Sequence, residues 1–326
     1  MAILVVGGAG YIGSHMTAAL VESGTETVVL DNLIKGHKNA IWPGVNFYEG
    51  NMQDAALLDK IFTDNKISTV VHFAAYTVVP ESMADPAMYY ENNTIGTFVL
   101  LEAMRRHGVK NIVFSSTASV YGMPDVIPVT EEAAPRPINP YGESKLAAER
   151  MLKWFGQAYG IKYVAFRYFN VAGAHDSGKI GENHDPETHL IPIVIKTAQG
   201  ELKELELYGD DYPTPDGTCI RDYVHVMDLV DAHMLAVKRL EGGGESATYN
   251  LGSGNGFSNK EIVDAVKKIT GVDFTVNLKE RRPGDPPVLV AYSEKARREL
   301  GWKPTRTDME NIIRTAWKWH SKEEGR

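Results

Sequence analysis

Short apolar runs alternate with longer stretches of helical period through the first half of the chain. Residues 3–6 are wholly apolar, as a strand buried on both faces requires, and residues 11–23 follow with helical spacing up to Gly24. Residues 27–30, 45–49, 69–72, 111–115 and 163–166 read as further strands, and residues 86–106 and 141–159 as long helices. A shorter helix is expected after Asp54, which has the side chain to cap it. Strands alternating with helices predict a parallel sheet covered on both faces, a doubly wound α/β fold whose ligand sits at the carboxyl ends of the strands. After Asn170 the rhythm breaks. Residues 173–188 lack any period and read as a loop, followed by a helix at 190–199 and a strand at 205–208. A turn-rich stretch spans 210–218, a strand 224–226, and a helix capped by Asp228 runs to 240. Residues 249–251 read as a strand, and Ser258 with Glu261 forms a capping box ahead of another helix.

Composition narrows the class. The chain has 326 residues, 43% of them hydrophobic and 23% charged, which is ordinary for a globular protein with a large core. A formal net charge of −8 argues against nucleic-acid or anionic-membrane partners. Cys219 is the single cysteine, so no intrachain disulfide is available and a reducing, cytoplasmic setting is expected. The first strand starts too early for a signal peptide, and no apolar run is long enough to span a membrane.

Three stretches carry chemistry. Gly7, Gly10 and Gly13 lie between the first strand and the first helix, where a tight turn brings backbone amides and a helix N-terminus to a pyrophosphate. Asp31 ends the second strand, where an acid accepts hydrogen bonds from an adenosine ribose and repels a 2′-phosphate; this favours NAD over NADP. Ser115, Ser116 and Thr117 end the fifth strand, and Tyr141 stands four residues before Lys145 near the start of a long helix. That spacing puts phenol and ammonium one turn apart on one face. A phenol titrates near 10; bringing it to about 7 takes roughly 4 kcal/mol of differential stabilisation, more than one solvated lysine supplies. The positive nicotinamide ring is the expected second charge. Residues 1–172 are therefore read as an NAD-binding Rossmann domain and residues 173–326 as a smaller α/β substrate domain, with 219–245 packing back on the first.

From residue 3 to about 317 the chain resembles the extended short-chain dehydrogenase/reductases, and among them the UDP-glucose 4-epimerase family. The resemblance rests on Gly7 to Gly13, Asp31-Asn32, His72-Phe73-Ala74-Ala75, Tyr89-Tyr90-Glu91-Asn92-Asn93 and Ser115 to Gly122. It continues through Pro140 to Lys145, Arg167-Tyr168-Phe169-Asn170, Tyr208 to Leu229 and Arg281-Arg282-Pro283-Gly284-Asp285. It implies reversible epimerisation at carbon 4 of UDP-galactose and UDP-glucose through a 4-keto intermediate, with tightly bound NAD. Tyr141 would be the acid/base, assisted by Lys145 and Thr117. Cofactor contacts are implied at Gly7, Gly10, Tyr11, Ile12, Gly13, Asp31, Asn32, Asn51, Met52, Phe73, Ala74, Ala75, Asn92, Ser115, Tyr141, Lys145 and Tyr168. Substrate contacts are implied at Thr117, Tyr141, Asn170, His189, Leu190, Leu207, Tyr208, Arg221, Arg282, Asp285 and Leu289. Arginine suits the diphosphate on physical grounds as well, since its planar fork binds two oxygens at once.

Some positions depart from the best-known bacterial pattern. Asn51 stands for a common Asp, Thr77 for a lysine, and His189 for an Asn. Leu289 stands where glucose-restricted members carry a large Tyr, which leaves room for an N-acetyl group and implies activity on UDP-GalNAc and UDP-GlcNAc as well. His175, His184 and His189, with their neighbouring acids, match no standard zinc spacing and read as a hydrated polar loop, so no metal is expected. Tyr89 and Tyr90 read as core, and Trp302, Trp317 and Trp319 as C-terminal packing. By family likeness, the helices at 86–106 and 141–159 would pair with their copies in a four-helix homodimer bundle. Related readings are a UDP-glucuronate epimerase, a 4,6-dehydratase and a non-catalytic NAD sensor. Ala118-Ser119 after Thr117 lacks the Asp-Glu pair of a dehydratase, and a sensor has no use for Tyr141 and Lys145.

Overall fold

The computed structural model describes residues 1–282 and 285–323; Pro283 and Gly284 of the expected 281–285 stretch lie outside the described residues. The strands β1 (Ala2–Val6), β2 (Thr27–Asp31), β3 (Asn46–Glu49), β4 (Ile67–His72), β5 (Asn111–Thr117) and β6 (Lys162–Tyr168) join one parallel sheet. The next strands are β7 (Asn170–Ala172), β8 (Leu205–Tyr208), β9 (Ile220–His225) and β10 (Ala247–Leu251). β10 pairs with β6 and completes a seven-stranded order β10-β6-β5-β4-β1-β2-β3. Strand order reverses between β1 and β4, which opens the crevice where a doubly wound sheet takes its ligand.

Helices α1 (Tyr11–Glu22), α2 (Ala55–Asp64), α3 (Val79–Ala84), α4 (Pro86–Tyr89), α5 (Gly96–Arg106) and α6 (Pro140–Tyr159) belong to the first half. The second half adds α7 (Leu190–Ala198), α8 (Val226–Glu241), α9 (Asn259–Thr270), α10 (Glu294–Leu300) and α11 (Met309–Glu323). One face of the sheet packs Leu58, Leu100, Met104 and Leu152 from α2, α5 and α6. The other packs Met16 and Leu20 of α1 against Leu229, Val230 and Ala236 of α8. Covering both faces removes β1 and β2 from water along their whole length, which is why residues 2–6 and 28–30 are unbroken apolar runs.

Beyond β7, the strands β11 (Gly256–Ser258), β12 (Val276–Lys279) and β13 (Val288–Leu289) build two small sheets: β9 takes β7, β11 and β13 as partners, and β12 pairs with β8. Ile191, Ile195, Ile262, Val266, Ile312 and Ile313 form their core with α7, α9 and α11. The Ser258–Glu261 capping box is present in both directions. Trp302 and Trp319 are buried and Trp317 packs on the α7–α9–α11 core, as expected.

Three expectations are corrected. The stretch 86–106 is not one α-helix: residues Tyr90–Ile95 form a π-helical turn between α4 and α5. Tyr90 is exposed on it, whereas Tyr89 is wholly buried with its hydroxyl donated to Val78 O. Asp228 does not cap α8. The cap is His225, whose Nδ1 accepts from Met227 N at 3.1 Å, while Asp228 accepts from the backbone and guanidinium of Arg306. An acid in the first helical turn can serve either purpose, and the basic partner 78 residues away was the stronger claim on it.

Candidate active site

The glycine turn after β1 is sterically obligatory at two positions. Gly7 has φ +83°, and a Cβ there would lie 2.6 Å from Ala74 N; a Cβ on Gly13 would lie 2.0 Å from Gly7 O. α1 can therefore start directly against the turn. Its N-cap, Gly10, offers no side chain, and no acid stands in the first turn, so the amides at this helix end are left to an anionic ligand. Asp31 closes β2 with Oδ2 accepting from Ala9 N at 2.9 Å and Oδ1 from Leu33 N at 2.8 Å. Burial raises this carboxyl and the backbone amides oppose it. With Gly10 as a third backbone donor, the carboxylate still keeps a lone pair for a ribose hydroxyl. These features fit an NAD pyrophosphate and adenosine ribose.

One cleft of about 370 Å³ runs from this turn to the carboxyl ends of β4 and β5. Gly7, Gly10, Tyr11, Ile12, Gly13, Asp31, Asn32, Asn51, Met52, Phe73, Ala74, Ala75, Asn92, Ser115, Thr117, Tyr141, Lys145, Tyr168, Asn170 and His189 all line it. Asn51 Oδ1 accepts from Gln53 N at 3.0 Å and keeps a second lone pair, beside the Nδ2 donors, for a ligand.

At the far end stand Tyr141 and Thr117. Asn139 caps α6 by accepting from Gly142 N, and Pro140 occupies the first helical position, which starts the helix sharply beneath Thr117. The Thr117 hydroxyl accepts from Ser119 N at 3.1 Å, and its own proton serves a hydrogen bond to the Tyr141 phenol. Burial raises Tyr141 above the usual phenol range, and this hydrogen bond works against the rise. Lys145 is 2% exposed, with Nζ 4.4 Å from the centre of the Phe114 ring. Burial lowers its ammonium to about 7, and Glu149, one turn further along α6, pulls the other way. With protein groups alone, both shifts run against a phenolate–ammonium pair. A cation brought beside the phenol would offset the rise at Tyr141.

Leu190, Leu207, Tyr208, Arg221, Arg282, Asp285 and Leu289 do not line this cleft. They gather on the second half instead. Arg221 on β9 lies opposite Leu289 on β13 and 3.5 Å from Asp285, and the Arg282 guanidinium stacks 4.1 Å from the Tyr208 ring. Leu207 is buried, and Leu190 opens α7 directly after its N-cap His189.

Several residues that shape the site escaped sequence reasoning. Asn93 is buried at the π-helical turn, where its amide holds Tyr76 N and O and also donates to Ser144 Oγ on α6. Glu149 takes two hydrogen bonds from Arg167 of β6, at 3.0 and 2.7 Å, and one from Ser116. The spacing Tyr141–Lys145–Glu149 was visible as one helical face. The partner on β6 was not. Residues 173–188 form a loop as expected, but Glu182 within it is only 5% exposed and is not hydrated.

Comparison with known proteins agrees with this arrangement. Residues 3–252 match the model of the NAD dependent epimerase/dehydratase family. The chain belongs to that family. A UDP-glucose 4-epimerase of Lacticaseibacillus casei is 54% identical over 320 residues, covering 98% of this chain and 97% of its own. The UDP-glucose 4-epimerase of Brucella ovis, solved in complex with NAD, is 49% identical with a TM-score of 0.94, covering 96% of each chain. That of Bifidobacterium longum, solved in complex with NAD+ and UDP, is 39% identical with a TM-score of 0.94, covering 99% of each chain.

Proposed function

We propose that this chain interconverts UDP-galactose and UDP-glucose by epimerisation at carbon 4, with NAD retained in the β1–β2 cleft. The observation that carries the reading is the pairing of half-buried Tyr141 with buried Thr117 at the end of the same cleft that holds the glycine turn and Asp31. NAD supplies a hydride acceptor for carbon 4 and returns the hydride, so the reaction has no net redox change. Tyr141 Oη takes the proton of the sugar 4-hydroxyl and gives it back. Thr117 holds the sugar oxygen or the phenol in line, and Lys145 contributes positive charge beneath them. The uridine diphosphate is held by Asn170, His189, Leu190, Leu207, Tyr208, Arg221, Arg282 and Asp285, leaving the hexose free to turn over. Leu289 is a modest side chain packed against the apolar cluster that includes Ala118 and Phe169, which supports acceptance of the N-acetylated sugars.

The domain division at residue 172 is retained as a functional one, with α8 and β10 returned to the NAD-binding layer. Ile95, Phe98 and Trp154 leave large apolar surface exposed on α5 and α6 and the turn between α4 and α5, which supports a homodimer through a four-helix bundle. Among the described residues, no helix is long and apolar enough to cross a membrane, and a lone buried Cys219 suits the cytoplasm.

Purified protein should be offered UDP-galactose and UDP-GalNAc separately without added NAD, with carbon-4 epimers followed by NMR. Conversion of UDP-galactose is expected, and its absence in NAD-loaded protein would overturn the reading. No turnover of UDP-GalNAc alongside active UDP-galactose would remove only the N-acetyl part.

A further inference from the structure

Beside the cleft, the segment between β7 and α7 folds four donor groups toward one point. Glu182, His184, Glu187 and His189 place one ligand atom each within 4.8 Å of the others. His189 Nδ1 lies 2.9 Å from Glu182 Oε1 and 3.2 Å from Glu187 Oε1; His184 Nδ1 lies 3.4 Å from Glu182 Oε1 and 3.7 Å from Glu187 Oε2. Metal–nitrogen and metal–oxygen bonds near 2.1 Å make the edges of a tetrahedron roughly 3.3–3.5 Å long. With Glu187 binding through Oε2, three of the edges are 2.9, 3.4 and 3.7 Å and bracket that length.

We propose that Glu182, His184, Glu187 and His189 bind one divalent transition-metal ion of zinc's kind. One observation beyond the cluster itself favours an ion. The Glu187 side chain is 5% exposed, yet its Oε2 has no hydrogen-bond partner among the described residues, and neither has His184 Nδ1, which faces it. Buried polar atoms left in this way are costly and call for a ligand. Two nitrogens with two oxygens suit zinc and exclude the all-oxygen shells of calcium and magnesium.

The ligands are held from outside. Glu187 Oε1 accepts from Thr188 N and His189 N at 2.8 and 2.9 Å. The segment's backbone oxygens are gripped by Lys35 at Asp185, His37 at Asn183 and Trp319 at Glu182. Four protein ligands close the coordination shell, so the ion is structural and holds no open position for substrate. Its effect falls on His189, the N-cap of α7 and a wall of the cleft. Metal on Nδ1 leaves Nε2 as the N–H donor, which fixes the tautomer presented to a bound diphosphate.

Untagged full-length holoenzyme, equilibrated with Zn2+ and desalted, should carry about one zinc per chain by elemental mass spectrometry. Equilibrated with Co2+ instead, it should show the intense visible bands of a tetrahedral site. His184→Ala should weaken zinc binding by at least about 100-fold, since loss of a ligand exceeds the usual effect of losing an outer-shell partner. His175→Ala, in the same segment but outside the cluster, should bind as the unaltered chain does. Absence of stoichiometric zinc, a weak octahedral Co2+ spectrum, or unchanged affinity in His184→Ala would each overturn the proposal. The Co2+ spectrum is read on the unaltered chain, so a variant that fails to fold leaves the test standing.

Discussion

Glu149→Gln is the perturbation that tests the site's foundations most directly. Glu149 and Arg167 are 9% and 8% exposed and meet through two hydrogen bonds, with Ser116 donating to Oε1 as well. Arg167 also donates to Tyr121 Oη at 2.9 Å, and that hydroxyl donates on to Asn250 at 2.6 Å. A glutamine keeps the shape but removes the counter-charge and turns an amide N–H₂ toward the guanidinium or toward Ser116. The remaining buried cation costs about 3–5 kcal/mol. Replacing both partners by apolar side chains, as in Glu149→Leu with Arg167→Met, removes the uncompensated charge and should recover most of the loss. Equilibrium urea unfolding at saturating NAD measures both. Kinetics add a second reading: Glu149 holds the Lys145 ammonium up, so its loss should move any alkaline limb due to Lys145 to lower pH. A single variant within about 1 kcal/mol of the parent, or a double variant whose loss is the sum of the two singles, would refute the reasoning.

Other consequences are as direct. Tyr141→Phe should bind UDP almost normally while kcat falls by about 10²–10⁴, the usual worth of a general acid–base; near-normal turnover would mean another base. Lys145 falls from 10.5 to about 7 on burial, so above pH 7 the unfolded chain binds the extra proton and this group's contribution to stability rises with pH. NAD-free Lys145→Met should therefore be more stable than the parent at pH 6 by roughly 4–5 kcal/mol, with the gap closing toward pH 10.5; a constant gap in pH-dependent unfolding would contradict this. Gly13→Ala should lose NAD retention by mass spectrometry, because its Cβ meets Gly7 O. Leu289→Tyr should suppress turnover of UDP-GalNAc more than that of UDP-galactose, and equal loss on both would remove the role given to Leu289.

Local pattern by itself determined the layered α/β core, because the signals that specify it are short in range. Unbroken apolar runs declare strands buried on both faces, Gly7 and Gly13 declare a turn no side chain fits, and Asn139-Pro140 and Ser258 with Glu261 declare helix starts. Those signals also put Asp31 and Tyr141 at the right ends of their elements. Only the tertiary structure decided what each polar group pairs with. Asp228 looked like a cap until Arg306 claimed it, and Glu149, which no local signal singled out, takes its place in the site from Arg167 of β6. The shifts of Tyr141 and Lys145 likewise come from desolvation by several packed elements, of which their own helix is only one. The segment from 173 to 188 shows the limit most plainly. Its sequence has no period and no familiar ligand spacing, yet the fold converges Glu182, His184, Glu187 and His189 on one point. Hydrophobic period acts through neighbours along the chain. Charge pairing and ligation act through space, across separations the chain does not encode locally.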